Sequence, residues 1–79
     1  MSKDHIQNKI RMLRFLKGEM TQQQLGDEVG VTRQTVAAIE SGKYSPTLQL
    51  AFRIANVFDV TLDEVFKYDP LNDQFKKKK

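Results

Sequence analysis

Residues 21–42, TQQQLGDEVGVTRQTVAAIESG, restrict the backbone more tightly than any other stretch of the chain. Thr21 offers a hydroxyl oxygen at a helix start, and Gln24 stands three residues on to return the hydrogen bond, which makes a capping box. Leu25 and Val29 fall four apart on one side of that helix. Gly30 supplies the left-handed conformation that ends helices and turns chains. Val31 plugs the corner, Thr32 caps again, and Val36 and Ile39 carry the apolar side of a second helix that Gly42 stops. Helices this short have to pack closely, which requires a small residue at their contact, and Gly26 occupies that point. The stretch predicts two helices, over residues 22–29 and 33–41, joined by a tight turn.

Three more helices are predicted around this pair. The first covers residues 6–17, where Ile6, Ile10, Leu13 and Leu16 or Lys17 follow helical spacing before Gly18. A loop at 42–46 leads to a fourth helix over residues 48–58, with Pro46 in its first turn and Ser45 or Thr47 as its cap. Leu48, Ala51, Ile54, Ala55 and Phe58 form its expected core face; Leu50, Phe52 and Val57 exceed what one face can bury, so some of them meet another element or another subunit. Thr61 and Glu64 form a second capping box that opens a short fifth helix through residue 66. A small strand pair, residues 67–69 against residues 3–6, is the alternative ending, because Val65, Phe66 and Tyr68 favour extended structure and Pro70 closes the segment. The expected organisation is one domain over residues 1–68 and a flexible tail over 69–79.

Seventy-nine residues allow a thin core. No apolar run approaches the roughly 18 residues of a membrane span, the polar start does not resemble a signal peptide, and cysteine is absent. A cytoplasmic protein with no membrane partner is expected. The formal charge of +3 is misleading, because the four lysines at 76–79 outweigh it; residues 1–75 hold nine basic and ten acidic groups. Charge is segregated as well. Lys3, Lys9, Arg11, Arg14 and Lys17 lie in the first seventeen residues against Asp4 alone, whereas Asp59, Asp63, Glu64, Asp69 and Asp73 lie near the other end against Lys67. The acidic end is poorly suited to a phosphate backbone; the first helix and the pair at 21–42 are not.

The two-helix pattern is that of a helix-turn-helix, whose second helix enters the DNA major groove. The stretch VGVTRQTVAAIESGKYSPTLQLAFRIANVFDVTLDEVF resembles the Cro/C1-type (XRE-like) helix-turn-helix family, in its short single-domain form, over roughly residues 8–68. The resemblance rests on Leu25, Val29, Val31, Val36 and Ile39, the turn at Gly30, and the exit Ile39-Glu40-Ser41-Gly42 followed by Tyr44-Ser45-Pro46. Glu19-Met20 adds one residue to the usual connection between the first two helices. The resemblance implies an all-α, five-helix lambda-repressor-like domain, to which the residue pattern above adds the small C-terminal strand pair as the alternative ending. It also implies a homodimer on a palindromic operator, most simply a repressor.

Arg33 and Gln34, in the first turn of the recognition helix (residues 32–41), are the expected base readers, since Arg can bond bidentately to guanine and Gln to adenine. Ala37 and Ala38 lie on the same side, either touching thymine methyls or leaving room for DNA. By resemblance, Gln22 opens the second helix where an amide clamps a phosphate, and Thr32, Thr35, Lys43, Tyr44 and Ser45 grip the opposite strand. The same resemblance implies that Arg14 of the first helix pairs with Glu40 as a structural tie. Leu62, Val65, Phe66 and Tyr68 are the candidate dimer seam.

A lone His5 and scattered acids give no metal site, and no cofactor or small-molecule ligand is expected. An enzyme is disfavoured by the lack of cysteine, of a phosphate-cradling glycine loop and of clustered carboxylates. The alternative function is an antitoxin-like interaction module that neutralises a partner protein, a role that does not exclude DNA binding. A non-specific nucleic-acid compactor is a further rival.

Overall fold

The computed structural model describes residues 6–68. The expectations for residues 3–5, for His5 and for the tail at 69–79 lie outside the described residues. The order is β1 (Ile6–Asn8), α1 (Ile10–Leu16), α2 (Gln22–Val29), α3 (Arg33–Glu40), α4 (Leu48–Val57), α5 (Leu62–Val65) and β2 (Phe66–Tyr68). The five expected helices are present, and the strand pair is formed as well.

The capping chemistry sets α2 and α3. Gln24 N–H donates to the Thr21 hydroxyl at 3.0 Å, and Thr21 N–H donates to the Gln24 side-chain oxygen at 2.8 Å. Gly30 ends α2 with φ 85° and donates its N–H to Gly26 at 2.7 Å. A Cβ built on Gly26 would stand 2.6 Å from the Val31 carbonyl oxygen, so this crossing admits no side chain. α4 is capped by Thr47, whose hydroxyl accepts from Leu50 N–H at 3.1 Å. Pro46 therefore precedes the cap and does not occupy the first helical turn.

The core comprises Ile10, Leu25, Val29, Val36, Ile39, Leu50, Ile54, Ala55 and Val65, one or more from each helix. The face of α4 is rotated from the expected one: Leu50 is buried with Ala51, Ile54 and Ala55, while Leu48 is two-thirds exposed. Leu50 precedes Ile54 by one turn and shares its direction, whereas Leu48 at the first helical position projects past the edge of the core.

The first helix begins at Ile10, not at residue 6, because residues 6–8 pair antiparallel with β2 in the register Ile6 to Tyr68, Gln7 to Lys67 and Asn8 to Phe66. Lys9 N–H donates to the Val65 carbonyl at 2.8 Å, and Ile10 N–H donates to the Asn8 side-chain oxygen at 3.2 Å, fixing the bend from strand into helix. At the other end, α5 stops at Val65 and Phe66 is already extended. The strands thus lie a residue or more inward of their expected positions, and β1 with Lys9 displaces about the first turn of the predicted helix.

Candidate nucleic-acid interface

Thr32 starts α3 by accepting the Thr35 N–H at 3.1 Å, and the two hydroxyls lie 3.1 Å apart. Val36 and Ile39 are buried, which fixes the rotation of the helix. At about 100° per residue, Gln34 then projects almost directly away from the core and Arg33 to one flank. Both are exposed, and neither side chain is bonded to another described residue. Ala37 and Ala38 are half-buried between them and the body of the fold, and Ser41 is exposed on the same side. The outer face of α3 is therefore two long donors over a floor of methyl groups, a profile narrow enough for a groove.

The far end of α3 positions the expected phosphate-gripping loop. The Ala38 carbonyl accepts from Lys43 N–H at 2.9 Å, Tyr44 N–H at 3.2 Å and the Ser41 hydroxyl at 3.2 Å. These bonds satisfy a carbonyl that a helix end leaves without an intrahelical partner. They also fold residues 42–44 back against the recognition helix. Lys43, Tyr44 and Ser45 are all exposed there. The hydroxyls of Thr32 and Thr35 stand at the opposite end, paired with each other.

A charged network holds the other flank. Arg14 on α1 donates from Nε to Glu40 Oε2 at 2.6 Å and from Nη2 to Oε1 at 3.1 Å, a bidentate pair. Its Nη1 donates to the Met20 carbonyl at 2.7 Å. The two side chains are only 14% and 10% exposed. Glu40 is thus neutralised and tied down, and it adds no bare negative charge beside α3. The Gln22 side chain joins this network, donating from Nε2 to Glu40 Oε1 at 3.2 Å. What the start of α2 presents outward is backbone N–H from its first turn, the usual anion-binding feature of a helix start.

Two supports of α3 and α2 carried no sequence signal. Asn8 in β1 donates from Nδ2 to the Ile39 carbonyl at 3.0 Å, and Arg53 in α4 reaches the Val29 carbonyl at 3.4 Å. Both bonds satisfy carbonyls at helix ends, and their partners lie more than twenty positions away in the chain. No local pattern encodes them.

Of the candidate seam residues, Val65 is fully buried within its own chain and has no surface to give a partner. Its side chain faces inward with Ile10 and Ile54 because α5 is a single turn that contributes one core residue. Leu62 and Phe66 are half-buried and Tyr68 is exposed. Among the described residues, no group of His, Cys, Asp or Glu is placed to hold a metal ion, and no helix is long and apolar enough to cross a membrane.

A sequence signature with two glycine-dependent turns, a five-helix body and an exposed polar helix define a helix-turn-helix protein. The helix-turn-helix family model matches residues 10–65, and the chain belongs to that family, in its Cro/C1-type branch of transcriptional regulators. It is 45% identical over 64 residues to an uncharacterised HTH-type transcriptional regulator of Methanocaldococcus jannaschii, covering 81% of this chain and 96% of that protein. It is 49% identical over 61 residues to the uncharacterised HTH-type transcriptional regulator YgzD of Bacillus subtilis, covering 77% of this chain and 91% of that protein. The fold is also similar to the crystal structure of a candidate DNA-binding protein from Bacteroides fragilis, with a TM-score of 0.68 and 19% identity over 78% of this chain and 98% of that one. The Methanocaldococcus jannaschii and Bacillus subtilis relatives are transcriptional regulators, and the family is one of regulators and not of enzymes.

Proposed function

We propose that this regulator is a sequence-specific repressor that binds a palindromic double-stranded operator as a cytoplasmic homodimer. The observation that carries this reading is the placement of Arg33 and Gln34: both are exposed in the first turn of α3 and unengaged, Gln34 opposite the buried Val36 and Ile39 and Arg33 on the flank. Arg33 bonds guanine and Gln34 adenine in the major groove. The half-buried methyls of Ala37 and Ala38 add apolar contact and no hydrogen bonds, so part of the specificity falls to DNA shape. Backbone N–H groups at the start of α2 take one phosphate, with the Gln22 side chain serving the Glu40 network. Thr32, Thr35, Lys43, Tyr44 and Ser45 take phosphates at either end of the recognition helix.

Two copies, each with its α3 in the groove, read half-sites about one DNA turn apart. The proposed seam lies at the C-terminal side of the fold. It comprises Leu62, Phe66 and Tyr68, with Phe52, which is 54% exposed on α4, the helix that packs on α5.

Gel-shift titration against the DNA upstream of its own gene, followed by selection of bound sites from a random pool, tests the reading. The expected result is an inverted repeat whose preferred bases change in Arg33→Ala and Gln34→Ala. Unaltered preference in both variants, or binding to random DNA as tight as to selected DNA, would remove it.

A further inference from the structure

Strand β1 touches two parts of the molecule that are otherwise built separately. Asn8 lies directly across from Phe66, so the two side chains project from the same face of the strand pair, with Tyr68 two positions further on. Phe66 and Tyr68 belong to the proposed seam. The Asn8 amide, in turn, donates to the Ile39 carbonyl at 3.0 Å. That carbonyl also accepts the Gly42 N–H at 3.1 Å, the bond that turns the chain out of α3 towards Lys43, Tyr44 and Ser45. One side chain thus stands beside the seam and holds the exit of the recognition helix.

The strand pair is short. Three residues in each of two strands make a ladder with little stability of its own. Its fastenings are the Lys9 N–H to Val65 carbonyl bond at 2.8 Å and the half-buried Phe66. A second copy that covers Phe66 and Tyr68 favours the paired form and raises its population.

We propose that Asn8 is a positioning residue that carries the contact between two copies to the phosphate-gripping loop. This rests on the operator-dimer reading above and adds a regulation to it. In a single copy the strand pair opens more often, the amide leaves the Ile39 carbonyl, and the loop at 43–45 loosens. In the dimer β2 is held, β1 stays paired, and the loop is set before it meets DNA. Dimer formation therefore improves the grip of each copy as well as tethering two of them, and by reciprocity a bound half-site tightens the dimer. Arg33 and Gln34 lie at the other end of α3, so the preferred bases stay the same.

Amide exchange of the full chain without DNA, diluted through the monomer–dimer transition that sedimentation locates, tests the coupling. Exchange over residues 40–45 is expected to slow on dimer formation by about two- to tenfold more than over the α2–α3 turn at 28–32, the effect of about one hydrogen bond. Where dimers persist at the lowest concentration, Tyr68→Glu supplies the single copy. Asn8→Asp keeps the oxygen that accepts from Ile10 N–H and loses the donor to Ile39. It should dimerise as the parent does and keep the faster exchange over 40–45 at every concentration. Equal slowing of both segments in the parent would overturn the proposal and leave the dimer standing, as would the parent's slowing reproduced in Asn8→Asp. A mass of one copy at every concentration would remove the operator-dimer reading, and the coupling with it.

Discussion

The third helix has two working sides, and they are built from opposite materials. Towards the fold, Glu40 is held by Arg14 and Gln22, Ile39 by the core and its carbonyl by Asn8. Towards solvent, Arg33 and Gln34 have no partner among the described residues, and Ala37 and Ala38 offer only methyl groups. Groups that fix the helix have their hydrogen bonds made in advance; the groups proposed to read DNA have theirs left to be made. A reading residue with an internal partner would have to break that bond before meeting a base, which costs discrimination. The comparison says that substitutions on the first side should change stability and on the second side base preference, with little crossing over.

The largest expected effect tests whether α2 and α3 must touch backbone to backbone. Gly26→Ala puts a methyl 2.6 Å from the Val31 carbonyl oxygen. Backbone cannot step aside as a side-chain tip can, and the gain in helix propensity of roughly 1 kcal/mol offsets only part of the strain. A loss of about 3 kcal/mol is expected, lowering Tm by about 15 °C. A melt within a few degrees of the parent would show that the crossing is looser than its geometry.

Glu40→Ala comes next. It leaves the Arg14 guanidinium largely buried with one remaining acceptor, the Met20 carbonyl, and strips Gln22 of its partner. About 2 kcal/mol should be lost, seen as a Tm lower by about 10 °C, with the order of preferred bases unchanged. If the melt stayed level while base preference moved, Glu40 would belong to the reading side and the comparison would break.

On that reading side, Arg33→Ala and Gln34→Ala should each cost about 1–3 kcal/mol of discrimination at one base position. Their melting curves should overlay the parent, since both side chains are exposed. Selection from a random pool run with each variant reports the first quantity and calorimetry the second.

These contrasts also mark what the sequence disclosed. α2 and α3 were legible to the residue at most ends because their signals are local: Thr21 with Gln24, Thr32, Gly26 and Gly30 all act within a few positions. The Arg14–Glu40 pair was legible only through family resemblance, since the two stand 26 positions apart. The strand pair was placed too far out. Three-residue strands have little propensity of their own, and their register is set by long-range contacts such as Lys9 N–H with the Val65 carbonyl. α4 shows a different failure. It carries apolar residues on every side, so periodicity could not choose between Leu48 and Leu50; only the position of α2 against α4 decides.

Asn8 joins the two kinds of region and sharpens the comparison at a smaller scale. Its amide nitrogen serves the end of the recognition helix, and its oxygen serves the start of α1, from a strand that β2 holds in place. Asn8→Ala should cost about 1 kcal/mol and loosen the last turn of α3, measurable as faster amide exchange at Ser41 and Gly42. It should weaken operator binding without altering which bases are preferred. A change in preference would mean that the frame tunes reading directly.

The smallest effect concerns Asp63, at the start of α5. The Thr61 hydroxyl donates to its carboxylate at 2.7 Å and, with the nearby backbone and Lys67, holds it below the usual carboxylate range. A depressed pKa in the folded state means that the charged form favours folding. That contribution is complete above the unfolded-state value and fades as pH falls through the folded one. Acid titration of the melting temperature should therefore show a slight extra loss in the parent, on the acidic side of an ordinary aspartate, that Asp63→Asn lacks. The carboxylate is fully exposed, so solvent screens the interaction, and the two curves should nearly coincide at neutral pH. A loss equally steep in both proteins would assign the acid sensitivity to groups other than Asp63.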